Sequence, residues 1–472
     1  MKDRKKSTVN SGVNGEFTQA KEPLSLDGLV DFWQAFGFWL KLGFISFGGP
    51  AGQIAIMHQE LVQKRRWISE QRFLHALNFC MVLPGPEAQQ LATYLGWLMH
   101  KTRGGLIAGL LFILPSFFLL IALSALYVSF GQVSWVQAAL FGIKPAVTAI
   151  VIQAAYRIGG KTLKTPALSC IAVMAFLAVR FGDVAFPVIV LSCALLGWIL
   201  GRLVPHWIEI PAAHASSAQS SPAALIGDQT PTPAHAIFSR GGLLRAALVG
   251  SLCWFIPMAW LYEQLGETHV LTQMAWFFTK AALLTFGGAY AVLPYVYHGA
   301  VTEFSWLNAA QMMDGLALGE TTPGPLIMIV TYVGFMGGYI KAFWGADHAM
   351  LSAFAAAACV TWFTFLPSFV FIFMGGPMIE SARAQVRLGH TMSAITASIV
   401  GVIVNLGLFF ALQVLWTHDL VLSNLSSWFT SLDWRASLEM LLALWALIKL
   451  KRSVIEVIVL AAVLGALLQR FF

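Results

Sequence analysis

Residues 73–99 form an apolar block of 27 residues with Pro84-Gly85-Pro86 near its middle. A membrane crossing takes about 20 residues, so the block is too short for two crossings. Each proline lacks an N–H and clashes with the preceding turn, while glycine tolerates a reversal. The economical reading is a re-entrant hairpin: two half-helices whose broken tip stops inside the bilayer. Irregular backbone at that depth survives only where protein buries it or water reaches it. The break therefore marks a cavity.

The feature occurs twice. At a constant spacing, "FWLKLGFISFGGP" (38–50) falls on "FFTKAALLTFGGA" (277–289), so that Lys41 meets Lys280 and Ser46 meets Thr285. The same spacing carries Trp67 onto Trp306 and Pro84-Gly85-Pro86 onto Pro323-Gly324-Pro325. After a one-residue gap Thr93-Tyr94 aligns with Thr331-Tyr332, and "LPSF" occurs at 114–117 and again at 366–369. Chance does not hold that register across Gly, Pro and Trp; the chain is a duplication. With 58% hydrophobic and 11% charged residues against about 25% charged in soluble proteins, it reads as an all-α polytopic membrane protein.

Basic residues orient the halves. The first half carries bases at 64–66, Arg72, Lys101, Arg103, Arg157, Lys161, Lys164 and Arg202. Where it has Lys64, Arg65 and Arg66, the second half has Glu303, Phe304 and Ser305. Bases return at Arg383, Arg387, Lys449, Lys451 and Arg452. An additional apolar segment, 243–262, supplies the odd crossing that flips the second half. The halves read as inverted-topology repeats with broken or re-entrant helices, a transporter design that holds substrate at the midplane. A reading with each break inside a full span fits the hydropathy as well.

The expected organisation is a disordered cytoplasmic N-terminus (1–28) and a first repeat (29–204). A flexible cytoplasmic linker rich in Ala, Ser, Pro and His (205–242) follows, then the extra helix with the second repeat (243–472). No cleavable signal peptide reads at the N-terminus.

Half-helices starting after the breaks present unbonded N–H groups and a positive dipole end at membrane depth. Candidate substrate-binding residues are Lys41, Ser46, Gly48, Gly49, Pro84, Gly85, Pro86 and Gln90 in the first repeat. Those in the second are Lys280, Thr285, Gly287, Gly288, Pro323, Gly324 and Pro325. Lysine inside an apolar stretch is costly and points to function, although it can also snorkel to the interface. Everything gathered here donates hydrogen bonds or carries positive charge, so the expected guest is an anion. Glu87 and Glu320 flank the two breaks on opposite sides, where a carboxylate either pairs with a lysine or exchanges a coupling proton. Trp67 and Trp306 are expected as interface anchors.

Other classes find little support. Cys80, Cys170, Cys193, Cys253 and Cys359 show no CxxC spacing, and the histidines form no metal-ligand pair. No metal or other cofactor is expected. The net charge of +7 follows from bases at helix ends and needs no nucleic-acid partner. No P-loop pattern appears, so ATP coupling within the chain is not expected.

The combination Phe-Gly-Gly-Pro, "WISEQRF" (67–73) and "LPGPEAQQLATYLGWLMHKTRGG" (83–105) resembles the chromate ion transporter family, in its long two-repeat form, across essentially the whole chain. Matching positions are Phe47, Gly48, Gly49, Pro50, Trp67, Pro84, Gly85, Pro86, Gln90 and Tyr94. In the second half they are Phe286, Gly287, Gly288, Pro323, Gly324 and Pro325. Ala289 replaces Pro50 and Leu326 replaces Glu87, so the half-sites need not contribute equally. The resemblance implies a multi-pass protein of the bacterial inner membrane that exports chromate and confers chromate resistance, without enzymatic activity. A sulfate or other oxyanion transporter is the nearest alternative, and an integral-membrane chromate reductase is the alternative from another class. The coupling ion and the oligomeric state, a homodimer among the options, stay open at this level.

Overall fold

The computed structural model describes residues 30–47, 49–131, 133–182, 184–204, 207, 224–227, 230–286, 289–382, 389–416 and 432–471. The expected disordered N-terminus, most of the linker, Gly48, Gly287, Gly288, Arg383 and Arg387 lie outside the described residues. Sixteen α-helices and no strand are found among those described.

The first repeat begins with α1 (Phe32–Ile45), the break at Ser46–Phe47 and α2 (Gly49–His58), which widens into a π-type turn at Gln59–Lys64. Then come α3 (Glu70–Val82), capped by the Ser69 hydroxyl, the Pro-Gly-Pro break and α4 (Glu87–Phe130). His100 and Lys101 leave helical geometry and divide α4 into a short and a long part. The remainder is α5 (Ser134–Thr162), α6 (Pro166–Gly182) and α7 (Phe186–Leu203), followed by the unmatched α8 (Arg240–Leu265).

The second repeat restates the plan with α9 (Val270–Leu284), α10 (Ala289–Tyr297) with its π-type turn at His298–Glu303, and α11 (Ala309–Thr321), which opens on an Asn308–Gln311 capping box. Then follow α12 (Ile329–Lys341), α13 (Ala349–Ala382), α14 (Gly389–Leu415), α15 (Trp434–Ile448) and α16 (Val454–Phe471). Even local strain repeats: Arg66 and Ser305, equivalent residues, both hold positive φ, at 53° and 49°.

Both breaks in each repeat are hairpin reversals, which decides against full spans. In a straight continuation Tyr332 would lie some 20 residues of rise beyond Gln311, about 30 Å away. Its hydroxyl instead donates to the Gln311 carbonyl at 3.0 Å. The Phe79 and Tyr94 rings likewise meet at 5.8 Å across Pro84-Gly85-Pro86. The Phe38 and Trp67 rings meet at 5.9 Å across the first break, and those of Phe277 and Tyr295 at 4.7 Å across its counterpart. Helices α3 and α11 have 13 residues each, about 20 Å, so the tips stop well short of a bilayer's ~30 Å core.

The repeats are inverted. Helix α8 runs antiparallel to α13: Phe238 N bonds Ser381 Oγ before the start of α8, and Trp362 Nε1 bonds the Cys253 carbonyl near its middle. The base of the first repeat's hairpins lies at the start of α8, where Arg72 Nη2 donates to the Thr230 carbonyl and His235 Nε2 contacts the Trp97 carbonyl. The base of the second repeat's hairpins lies at the far end, where Thr272 Oγ1 donates to the Leu261 carbonyl and the His269 and Phe343 rings meet. Lys64, Arg65, Arg66, Lys101, Arg103, Lys161, Lys164 and Arg202 gather at the first of these ends, the basic end.

Six described helices, α4, α5, α7, α8, α13 and α14, are long and apolar enough to cross a membrane. The protein is thus a multi-pass membrane protein. Trp67 and Trp306 are not interface anchors: both are buried, Trp67 against Phe38 and Trp306 stacked on Phe304 at 4.7 Å. Their indoles seat the hairpin bases, a task that uses the same aromatic chemistry away from the lipid boundary.

Candidate substrate site at the crossed hairpin tips

Each Pro-Gly-Pro tip is held by the other repeat. Gly85 N donates to the Thr285 carbonyl at 2.7 Å, and Gly324 N donates to the Ser46 carbonyl at 2.8 Å. Helices α1 and α9 end at Ile45 and Leu284, so the Ser46 and Thr285 carbonyls have no helical partner and are available to a neighbour. The two glycines adopt φ of 128° and 102°, a region that side chains rarely occupy. The central glycine amide of each tip is thus committed to the opposite repeat and is separate from the half-helix N–H groups expected after the breaks. The N–H groups left for a ligand belong to the first turns of α4 and of the Leu326–Met328 turn.

A second crossed pair surrounds the first. A Cβ on Gly85 would strike Ser368 Oγ and come within 2.7 Å of Gln90 Nε2, while one on Gly324 would lie 2.8 Å from Ser116 Cβ. Ser116 and Ser368 are the serines of the two "LPSF" segments, so each packs on the other repeat's tip. Helices α4 and α13 are drawn together here, with Gly105 and Gly109 admitting the Phe373 and Phe369 rings.

The polar groups at this crossing are buried and in part unpaired. Ser46, Ser116 and Ser368 are at most 1% exposed, and none of their hydroxyls has a partner among the described residues. Burying a hydroxyl without a partner costs roughly 1–3 kcal/mol, so three at one locus point to a guest or water. Gln53 Nε2 bonds the Gly324 carbonyl at 2.5 Å, and Gln90 Nε2 bonds the Pro84 carbonyl at 2.7 Å. Both leave their Oε1 unpaired, as does Gln89, and these oxygens accept from water or from a proton-bearing oxyanion. A cavity of about 230 Å³ opens beside the second tip, lined among others by Phe47, Gly49, Glu320, Thr322, Gly324 and Ser453.

Of the residues singled out in the sequence, the structure brings together Ser46, Gly49, Pro84, Gly85, Pro86, Gln90, Thr285, Pro323, Gly324 and Pro325. Thr285 Oγ1 donates back to the Ala281 carbonyl at 2.7 Å. Gly48, Gly287 and Gly288 lie outside the described residues. Lys41 is exposed on the face of α1 that also carries Trp33, Leu40 and Phe44. Lys280 Nζ lies 6.0 Å from the Trp276 ring centroid. Neither lysine reaches the crossing. Glu87 opens α4 and pairs with no lysine among the described residues, whereas Glu320 accepts from Tyr290 Oη at 2.7 Å and lines the cavity. Sequence reasoning missed Ser116, Ser368 and Gln53; the duplicated "LPSF" held the signal for the serines.

The chromate transporter family model matches residues 33–198 and 272–466, one stretch per repeat. The chain belongs to the chromate transporter family. The interval between the stretches holds the linker and α8, the segment without a counterpart. Among curated members, the chromate transport protein of Pseudomonas aeruginosa is 34% identical over 79% of this chain and 80% of its own. That of Cupriavidus metallidurans is 29% identical over 78% of this chain and 79% of its own. A probable chromate transport protein of Synechococcus elongatus is 29% identical over 83% and 88%. No solved structure matches the chain.

Proposed function

We propose that this member of the family is a secondary transporter that exports chromate across the bacterial inner membrane, the anion resting at the crossed tips of the two repeats. The observation that carries the reading is the ring of unpaired hydroxyls on Ser46, Ser116 and Ser368 around the Gly85–Thr285 and Gly324–Ser46 bonds. Hydroxyls and first-turn N–H groups are donors, and in a low-dielectric setting donors select an anion. Chromate enters the reading from the relatives' names, since the same donors suit sulfate.

The basic end of the bundle is cytoplasmic by the positive-inside rule. The membrane potential then assists exit of a dianion by ~2.3 kcal/mol per charge per 100 mV. Glu320, on the cavity wall and held by Tyr290, is the coupling carboxylate best placed to follow occupancy, with Glu87 its non-equivalent counterpart. Inverted repeats exchange conformations when one swaps roles with the other, and here each swap must break or keep the two crossed bonds together.

The test is uptake of chromate into inverted membrane vesicles, with its visible absorbance followed alongside. Uptake with absorbance retained, and with sulfate competing weakly, supports the reading. Equal competition by sulfate would make the protein a general oxyanion transporter, and loss of absorbance without accumulation would make it a reductase.

A further inference from the structure

The turn joining α15 to α16 reads Lys449-Leu450-Lys451-Arg452, a cluster of bases of the kind that marks a cytoplasmic loop. The structure sets them deeper. Asp433 N bonds the Leu415 carbonyl at 2.7 Å, so α15 starts where α14 ends, at the end of the bundle opposite the basic one. Leu447, Val457 and Ile458, which flank the turn, cluster with Ala146, Ala149 and Ile150 of α5. Helix α5 continues to Thr162 at the basic end. The turn is therefore about 18 Å short of that end at ~1.5 Å per residue. Three cations at this depth are more than topology requires.

They also lie beside the tip cavity. An open recess of about 390 Å³ is lined by Leu450, Lys451, Arg452, Ser453 and Glu456. Ser453 also lines the cavity that holds Phe47, Gly49 and Gly324, so the recess and the tip cavity share a wall. Lys449 and Lys451 have no ion-pair partner among the described residues, and Arg452 meets Glu456 only at 3.7 Å with both side chains more than half exposed. Lys451 holds φ at 52°, a conformation uncommon outside glycine and asparagine. The equivalent turn of the first repeat, between α6 and α7, reads Asp183-Val184-Ala185, with Arg180 in the last turn of α6 as its one neighbouring cation against three here. The asymmetry gives the path a direction that the duplicated tips do not.

We propose that the Lys449–Arg452 turn is an anion-capture station: it draws a tetrahedral oxydianion from the basic end into the recess and passes it along Ser453 to the crossed tips. The inference rests on the tip site proposed above. Clustered cations at the mouth of a recess concentrate anions and raise their capture rate by 10-fold or more, in a salt-dependent manner. Capture and tip binding are separate tasks, so they respond to different substitutions.

The test uses purified full-length protein in proteoliposomes, with chromate transport measured from the basic side at low and high potassium chloride. The K451Q/R452Q double variant is expected to raise KM at low salt by ~10-fold, to flatten the dependence of KM on salt and to leave kcat near the parental value. The K451R/R452K swap is expected to keep parental KM, because capture needs charge rather than fork geometry. An unchanged KM and salt dependence in the Gln variant would overturn the proposal, as would a loss of kcat alone. A Ser453→Cys variant in a background without native cysteines guards against misinsertion. An anionic methanethiosulfonate should modify it faster than a cationic one, and sulfate, which does not oxidise thiols, should slow the anionic reagent. Absence of charge preference would sink the capture site, whereas preference without chromate transport would instead count against the tip reading.

Discussion

Gly85 and Thr285 are separated by 200 positions, yet the glycine amide donates to the threonine carbonyl at 2.7 Å, and Gly324 repeats the bond to Ser46 at 2.8 Å. Each repeat thus completes the broken backbone of the other. A lone half-repeat would leave its tip amide unpaired at membrane depth, at a cost of several kcal/mol, while the Ser46 carbonyl would keep only its longer bond from Gln53 Nε2 at 3.3 Å. The two repeats therefore meet as complementary halves at the centre of the protein, and the site they build is shared.

That dependence makes the tip glycines the most sensitive positions. Gly85→Ala must place a Cβ against Ser368 Oγ and Gln90, and Gly324→Ala one against Ser116, each with φ above 100°. Such backbone strain costs ~1–3 kcal/mol before any clash is counted. Both variants are expected to lose transport and to lower the melting temperature of the purified protein. Gly37→Ala and Gly160→Ala, where an added Cβ meets nothing within 4 Å, should be silent. Parental transport by Gly85→Ala would mean that the tip is free to relax.

The serines should behave in the opposite way. Ser116→Ala and Ser368→Ala remove hydroxyls that have no partner among the described residues, so thermal stability is expected to hold or rise. A hydrogen bond to a charged group contributes ~1.5–3 kcal/mol, so chromate KM is expected to rise by ~10-fold or more. Reduced stability with unchanged KM would show that the hydroxyls serve packing rather than the anion.

Much of this was legible in the sequence because it was written twice. Pro84-Gly85-Pro86 and Phe-Gly-Gly gave the reversals, the exchange of Lys64-Arg65-Arg66 for Glu303-Phe304-Ser305 gave the inversion, and Ser46 and Gln90 were placed at the breaks. Other features depend on tertiary contact. That Gly85 bonds Thr285 rather than Ser46 follows from how the hairpins cross, and no local pattern encodes a cross-repeat bond. Lys449, Lys451 and Arg452 look like any loop in a string of letters, because depth is set by where α15 and α16 pack on α5. Trp67 and Trp306 carry the composition of an interface belt, and only burial tells the two uses apart.

The orientation of the repeats has a direct readout. Arg65 and Ser305 lie in equivalent loops, 65–66 and 304–305, at opposite ends of α8 and α13. Single cysteines at the two positions, in a background without native cysteines, are expected to react with an impermeant reagent from opposite sides of sealed vesicles. Reaction from the same side would contradict the inverted arrangement.

Lys41 and Lys280 test how far charge acts at this site. Neither touches the crossed tips, and Lys41 precedes Ser46 by five residues, about 7 Å of helix rise. A lysine here acts on a bound dianion through the electric field rather than through a hydrogen bond. At ~10 Å and an effective dielectric constant near 40, the attraction to a dianion is roughly 1–2 kcal/mol. Lys41→Gln and Lys280→Gln are each expected to raise chromate KM by ~5–20-fold and to leave kcat and expression near parental. Lys→Arg at either position should be tolerated, because a field effect depends on charge and not on the shape of the donor. Abolition of transport by Gln without rescue by Arg would place a direct lysine contact on the substrate, and no change in KM for either Gln variant would leave the lysines with only a snorkelling role.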